Sequence, residues 1–160
     1  MMQLEGSCHC RGVSFTIESH TPTPFMRCYC SICRKTDGGG GYAINIMGEA
    51  ETLKIIGEEN LTVYRAKRPG GELSDGRRHF CKICGSALWL ADPRWDQWIW
   101  PLASAIDTPL PKAPEYVNLM LDYAASWADR FEGDNQTDFR EYPVESIEDW
   151  HRKRGLYEEN

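Results

Sequence analysis

The residues of this chain with the most distinctive chemistry are seven cysteines: Cys8, Cys10, Cys28, Cys30, Cys33, Cys81 and Cys84. They fall in three knots, Cys8-His9-Cys10, Cys28-Tyr29-Cys30-Ser31-Ile32-Cys33 and Cys81-Lys82-Ile83-Cys84-Gly85. Cysteines two or three apart let two sulfurs converge on one ion from a single tight turn, with zinc–sulfur distances of about 2.3 Å. A disulfide across so short a gap strains the narrow geometry of that bond. The start, Met1-Met2-Gln3-Leu4-Glu5-Gly6, has no basic region and no apolar run of a secretory signal. An odd cysteine count without such a signal fits a disulfide framework poorly. Gly85, directly after the second cysteine of its knot, suits the turn of a zinc knuckle. The spacing predicts metal ligands.

Seven also divides into four and three. A structural zinc site is closed by four protein ligands, whereas a catalytic one keeps a position for water or substrate. Spacing allows two partitions. Cys30 and Cys33 can join Cys81 and Cys84 as a ribbon with a long insertion, or Cys8 and Cys10 can join Cys81 and Cys84. The second leaves Cys28, Cys30 and Cys33 as an open trio on one short loop. His79, two residues before Cys81, is a possible fourth ligand of the trio, although an ordinary core or surface histidine is the simpler reading. His9 lies between two ligands and is expected to point away from the metal; His20 and His151 carry no motif.

These residues need a scaffold, and the chain supplies short β-rich runs. Val13, Phe15 and Ile17 alternate with polar residues, the pattern of a half-buried strand. Similar runs lie at Phe25–Cys28, Tyr42–Met47, Thr52–Ile56, Leu61–Ala66, Ser86–Leu90, Gln97–Trp100 and Tyr116–Leu121. Pro and Gly clusters separate several of them, including four glycines from Gly38 to Gly41. That run is either an anion-binding backbone or a hairpin tip. Near the end, Ser146-Ile147-Glu148-Asp149 resembles a capping box, and Gly155 follows Arg154. A helix is predicted over 146–154, with Ile147 and Trp150 toward the core. Many short strands with frequent turns argue a mainly β fold. The six tryptophans are read chiefly as core packing.

Composition narrows the function. One domain spanning 1–160 is expected from the length. A net charge of −6 argues against a nucleic-acid partner, whose phosphates call for a basic surface. No apolar run approaches the roughly 18 residues of a membrane span, so a cytoplasmic protein is expected. The glycine run lacks the lysine and spacing of a P-loop.

With these motifs in hand, the chain resembles the GFA / CENP-V family, named for glutathione-dependent formaldehyde-activating enzyme. The resemblance rests on Gly6-Ser7-Cys8-His9-Cys10-Arg11-Gly12-Val13, on Cys28-Tyr29-Cys30-Ser31-Ile32-Cys33-Arg34-Lys35 and on His79-Phe80-Cys81-Lys82-Ile83-Cys84-Gly85-Ser86. Pro143 to Gly155, with Trp150-His151, adds to it. The resemblance implies an Mss4-like fold, a β-tent of folded sheets pinned by zinc. It also implies that Cys8, Cys10, Cys81 and Cys84 form the closed structural site. Cys28, Cys30 and Cys33 then form the open, catalytic-type site, so two Zn2+ ions are expected.

The implied activity is addition of a small thiol, glutathione in the name-giving case, to formaldehyde, which is carbon–sulfur lyase chemistry in reverse. Zinc with three thiolates carries about −1, and a fourth thiolate brings it to about −2 by charge counting, which blunts its Lewis acidity. A cation nearby would offset that charge, and Arg34 or Lys35 is the expected one. The alternative is a non-catalytic zinc domain that binds a protein partner.

Overall fold

A computed structural model describes residues 1–158. In chain order the strands are β1 (Met2–Ser7), β2 (Ser14–Ser19), β3 (Phe25–Cys28), β4 (Ala43–Asn45), β5 (Gly48–Glu49), β6 (Lys54–Ile56), β7 (Leu61–Lys67), β8 (Leu73–Cys81), β9 (Ala87–Ala91), β10 (Trp98–Pro101), β11 (Tyr116–Leu119) and β12 (Gln136–Asp138). The helices are α1 (Ser31–Asp37) and α2 (Ile147–Lys153). The protein is mainly β, a set of folded sheets with a short C-terminal helix.

Three sheets are present among the described residues, with strand orders β1-β2-β6, β5-β10-β9-β8-β7 and β12-β11-β3-β4. Pairing is antiparallel except that β11 runs parallel to β3 and β12. In β2, Phe15 and Ile17 turn inward while Thr16 and Glu18 stay partly exposed, as the period-2 alternation requires. Phe15 faces Gly6 across the β1–β2 ladder. A Cβ at Gly6 would lie 2.3 Å from the Phe15 ring, so only glycine fits there.

The core has two centres, and each holds cysteines. One gathers Leu4, Val13, Phe15, Ile17, Leu88 and Trp89 with Cys8 and Cys81. The other gathers Met26, Ala43, Trp98, Val117, Leu119 and Ile147 with Cys28 and Cys33.

The sequence pattern located most strands to within a residue or two. It missed β8, because Ser74-Asp75-Gly76-Arg77-Arg78 is polar on both faces, and it missed β1 and the short β5 and β12. The trio does not sit on a plain loop as expected: Cys30 caps α1 and Cys33 lies in its first turn. The glycine run is the link from α1 to β4. Gly38 N–H donates to Arg34 O, closing the helix, and Gly41 has φ +97 where a Cβ would strike Ala128. Trp89, Trp98 and Trp150 are buried, but Trp95 and Trp127 are exposed, so packing accounts for only part of the tryptophan set.

The C-terminal helix forms as its motif predicts. Asp149 N–H donates to Ser146 Oγ at 3.0 Å and Ser146 N–H to Asp149 Oδ2 at 3.4 Å, which satisfies two free amides of the first turn. Ile147 and Trp150 are buried. Trp150 Nε1 donates to Glu115 Oε2 at 2.9 Å, and His151 Nε2 donates to the Thr23 carbonyl at 2.6 Å.

A tight turn at Gly57 to Asn60 braces two of the cysteine knots. Asn60 Nδ2 donates to Gly12 O at 2.9 Å, just past Cys10, and Lys82 N–H donates to Asn60 O at 2.8 Å, just past Cys81. Gly57 has φ +79, and a Cβ there would lie 2.0 Å from Gly12 O, which is backbone and cannot swing away. Gly57→Ala should therefore cost at least about 1–2 kcal/mol from the left-handed backbone alone. A lowered urea midpoint with an unchanged slope is the expected result.

Candidate metal centres

Two groups of thiols converge. Cys8, Cys10, Cys81 and Cys84 form one, and Cys28, Cys30 and Cys33 form the other; within each, the sulfurs all lie within 4.8 Å of one another. The second of the two partitions allowed by spacing is the one the fold assembles.

In the group of four, the β1–β2 turn supplies Cys8 and Cys10, the end of β8 supplies Cys81 and the turn that follows supplies Cys84. Cys10 Sγ lies 3.6 Å from Cys8 Sγ and 3.7 Å from Cys81 Sγ. A tetrahedron of sulfurs about 2.3 Å from a central zinc has edges of about 3.8 Å, so these four residues fit such an ion. Each turn is built like a knuckle. Val13 N–H donates to Cys8 Sγ at 3.2 Å, and Gly85 N–H donates to Cys81 O at 2.8 Å. Gly85 has φ +76, the left-handed conformation anticipated for it. Ser86 Oγ joins the two knuckles by accepting from His9 N–H at 3.1 Å. His9 is exposed and lies outside both thiol groups.

In the group of three, β3 ends at Cys28, Tyr29 turns inward and the chain enters α1 at Cys30. Cys30 Sγ accepts from Cys33 N–H at 3.4 Å. Cys28 and Cys33 are buried and Cys30 is half-buried, so the set opens on one side. Three thiols this close cannot all ionise on their own. Hydrogen bonds to Cys30 and Cys33, then burial, push the Cys28 thiol far up. Hydrogen bonds from Cys28 and Cys33 pull Cys30 down to about 2. One proton-poor sulfur held by two proton-rich neighbours is the arrangement that a thiophilic cation would replace with three thiolates.

His79 does not complete this set. It stacks on Trp89 at 4.9 Å between ring centroids, and burial holds its pKa below the usual histidine value. The cation that hydrogen-bonds to the trio is neither Arg34 nor Lys35 but Arg78. Arg78 Nη2 lies 3.8 Å from Cys33 Sγ. Arg34 sits on α1 with its Nε buried and without a hydrogen-bond partner among the described residues, and Lys35 is exposed. The only sequence signal for Arg78 was strand alternation, which would set it and Arg77 on opposite faces, and β8 was not recognised as a strand. A cleft runs beside Cys33, lined by Asp37, Asn45, Arg78 and His79.

A folded β protein that gathers seven thiols into a closed foursome and an open trio is a candidate two-metal protein. The chain belongs to the glutathione-dependent formaldehyde-activating enzyme family, whose model matches residues 3–119 and so spans every cysteine. A protein of Halomonas elongata, provisionally named a glutathione-dependent formaldehyde-activating enzyme, is 52% identical over 157 residues. That alignment covers 98% of this chain and 99% of the relative. A crystal structure of a Rhodobacter sphaeroides protein superposes with a TM-score of 0.54 at 25% identity, covering 67% of this chain and 91% of that one.

Cys84, one of the two exposed members of the foursome, offers a direct check. A hydrogen bond from the Ser86 hydroxyl, backed by the Ser86 and Cys10 backbone, lowers the Cys84 thiol to about 5 in the absence of metal. In chelator at about pH 6, Cys84 should be a thiolate, whereas an ordinary thiol near 8.5 is almost wholly protonated. Ser86→Ala should raise that pKa and slow labelling of Cys84 by a disulfide reagent severalfold, as followed by peptide mass spectrometry.

Proposed function

We propose that this protein is a zinc-dependent enzyme that joins a small thiol such as glutathione to formaldehyde, at the centre built from Cys28, Cys30 and Cys33. The observation that carries the reading is the trio itself: three converging thiols, with no fourth Cys, His, Asp or Glu gathered with them among the described residues, open on the Cys30 side. A closed structural site needs a fourth protein ligand; a catalytic one leaves that place to substrate. Family membership and the name of the Halomonas elongata relative support the choice of reaction.

In this reading Cys8, Cys10, Cys81 and Cys84 hold a structural zinc, which can contribute on the order of 10 kcal/mol to folding. Cys28, Cys30 and Cys33 hold the second ion. Zinc bound there supplies positive charge that favours the anionic form of an incoming thiol and polarises a neighbouring oxygen. The chain's part is positional. Met26, Trp98, Leu102 and Leu119 pack around Cys28 and Cys33 and exclude water from their side, which leaves approach through Cys30. The addition forms one sulfur–carbon bond, moves the carbonyl π pair onto oxygen, and ends with the thiol's proton on that oxygen. Run backward it is a carbon–sulfur lyase reaction. Seven unpaired thiols suit a reducing compartment, so a cytoplasmic location belongs to the same proposal.

Zinc per chain, counted on protein purified without chelators or oxygen, tests the metal assignment. About two zincs are expected, falling to about one in a folded Cys30→Ala variant. Exchange of carbon-13 formaldehyde with glutathione, followed by NMR at about pH 6 where free thiolate is scarce, tests the activity. The wild type should accelerate exchange and Cys30→Ala should not. A wild-type protein with both sites loaded that leaves exchange unaccelerated would overturn the enzyme reading in favour of a non-catalytic zinc domain.

A further inference from the structure

The cleft beside the trio has an unusual wall. Arg78 is its one Lys or Arg among the described residues, and it is half-buried in the middle of β8, opposite Tyr64 and Leu90. Its contact with Cys33 Sγ, at 3.8 Å, occupies one arm of the guanidinium. It forms no ion pair with a carboxylate among the described residues. Other arginines near this sheet do: Arg65 and Arg68 face Asp75, and Arg94 binds Asp92 at 2.6 Å. Asp37, the acid in the same cleft, is taken by Ser104 Oγ at 3.0 and 3.1 Å. A partly buried guanidinium without an acid is costly unless an anion balances it. The anion at hand is the thiolate that Cys33 becomes when a cation is bound by the trio.

Resting on the function proposed above, we infer that Arg78 is the specificity-determining cation of the three-cysteine centre. It selects a thiolate over a neutral ligand for the open position, and its free N–H groups receive the oxygen of the aldehyde in the adjoining cleft. Three thiolates and a divalent ion sum to about −1, and a substrate thiolate brings the sum to about −2. Arg78 returns it to about −1, so the anionic ligand is retained where charge repulsion would otherwise expel it. As the sulfur–carbon bond forms, negative charge leaves sulfur and appears on the carbonyl oxygen. A guanidinium that touches the ligand sulfur of Cys33 and also lines the cleft serves both ends of that transfer, because its donors diverge from one planar fork. The proton shed by the thiol goes to solvent, and water returns one to the oxygen.

The test uses protein loaded with cobalt(II), whose sulfur-to-metal absorption reports thiol binding without turnover. Glutathione is titrated into wild type, Arg78→Met and Arg78→Lys across a range of pH. Arg78→Met keeps the apolar stem and should weaken glutathione binding about tenfold or more while moving its pH midpoint upward. Arg78→Lys keeps the charge and should recover part of the affinity, while NMR exchange stays slower than wild type because the fork is lost. If Arg78→Met fails to hold metal, the Lys variant carries the comparison. Equal affinities and equal pH midpoints in the wild type and the metal-loaded variants would overturn the role of Arg78 while leaving the thiol enzyme intact. A wild-type protein whose cobalt spectrum ignores glutathione would overturn both.

Discussion

Mutual repulsion among clustered thiolates is the constraint on which this structure turns. Sulfurs under 4.8 Å apart, most of them out of water, cannot all lose their protons unless a cation sits among them. Without one, protons are divided unequally, as the opposed displacements of Cys28 and Cys30 show. With one, the same crowding becomes binding affinity. The fold therefore has to hold the sulfurs together against their own electrostatics.

It does so by rooting each set in a separate apolar centre. Cys8 and Cys81 are fixed by Leu4, Val13, Phe15 and Trp89, while Cys28 and Cys33 are fixed by Met26, Trp98, Val117 and Leu119. The remaining sulfurs, Cys10, Cys84 and Cys30, lie at the surface or half-way to it. That division differs between the sets in its consequence. The foursome lies between two turns that are far apart in the chain, so a metal held there would act as a staple, and Asn60 and Ser86 bridge the same turns by hydrogen bonds. The trio is local, joined to one strand end and one helix start, and closes nothing. A set that closes nothing is free to take an outside ligand, and this asymmetry supports the proposal that the trio is the place for chemistry.

The charges around the trio follow from strand geometry rather than from chain proximity. Arg34 and Lys35 lie next to Cys33 in sequence, but they fall in the last turn of α1, with Lys35 exposed. Arg78 is 45 positions from Cys33 and reaches its sulfur from β8 across the fold. The protein's net charge of −6 therefore says little about the field at the site.

The sequence alone determined the seven thiols, their three knots, the mainly β character and the C-terminal helix. Each depends on local chemistry: cysteine spacing, the Phe15 and Ile17 alternation, the Ser146 and Asp149 capping pair. Spacing left open which knots share a site and the family resemblance implied the grouping; the tertiary structure assembles it, because Cys8 follows a strand of one sheet, Cys81 ends a strand of another, and both pack on one apolar centre. It alone decided that Cys30 caps a helix, since a seven-residue helix opening on cysteines gives too short a periodic signal to read. It alone placed Arg78 on Cys33, because β8 is polar on both faces and its alternation marks no buried side until neighbouring strands and α1 supply one.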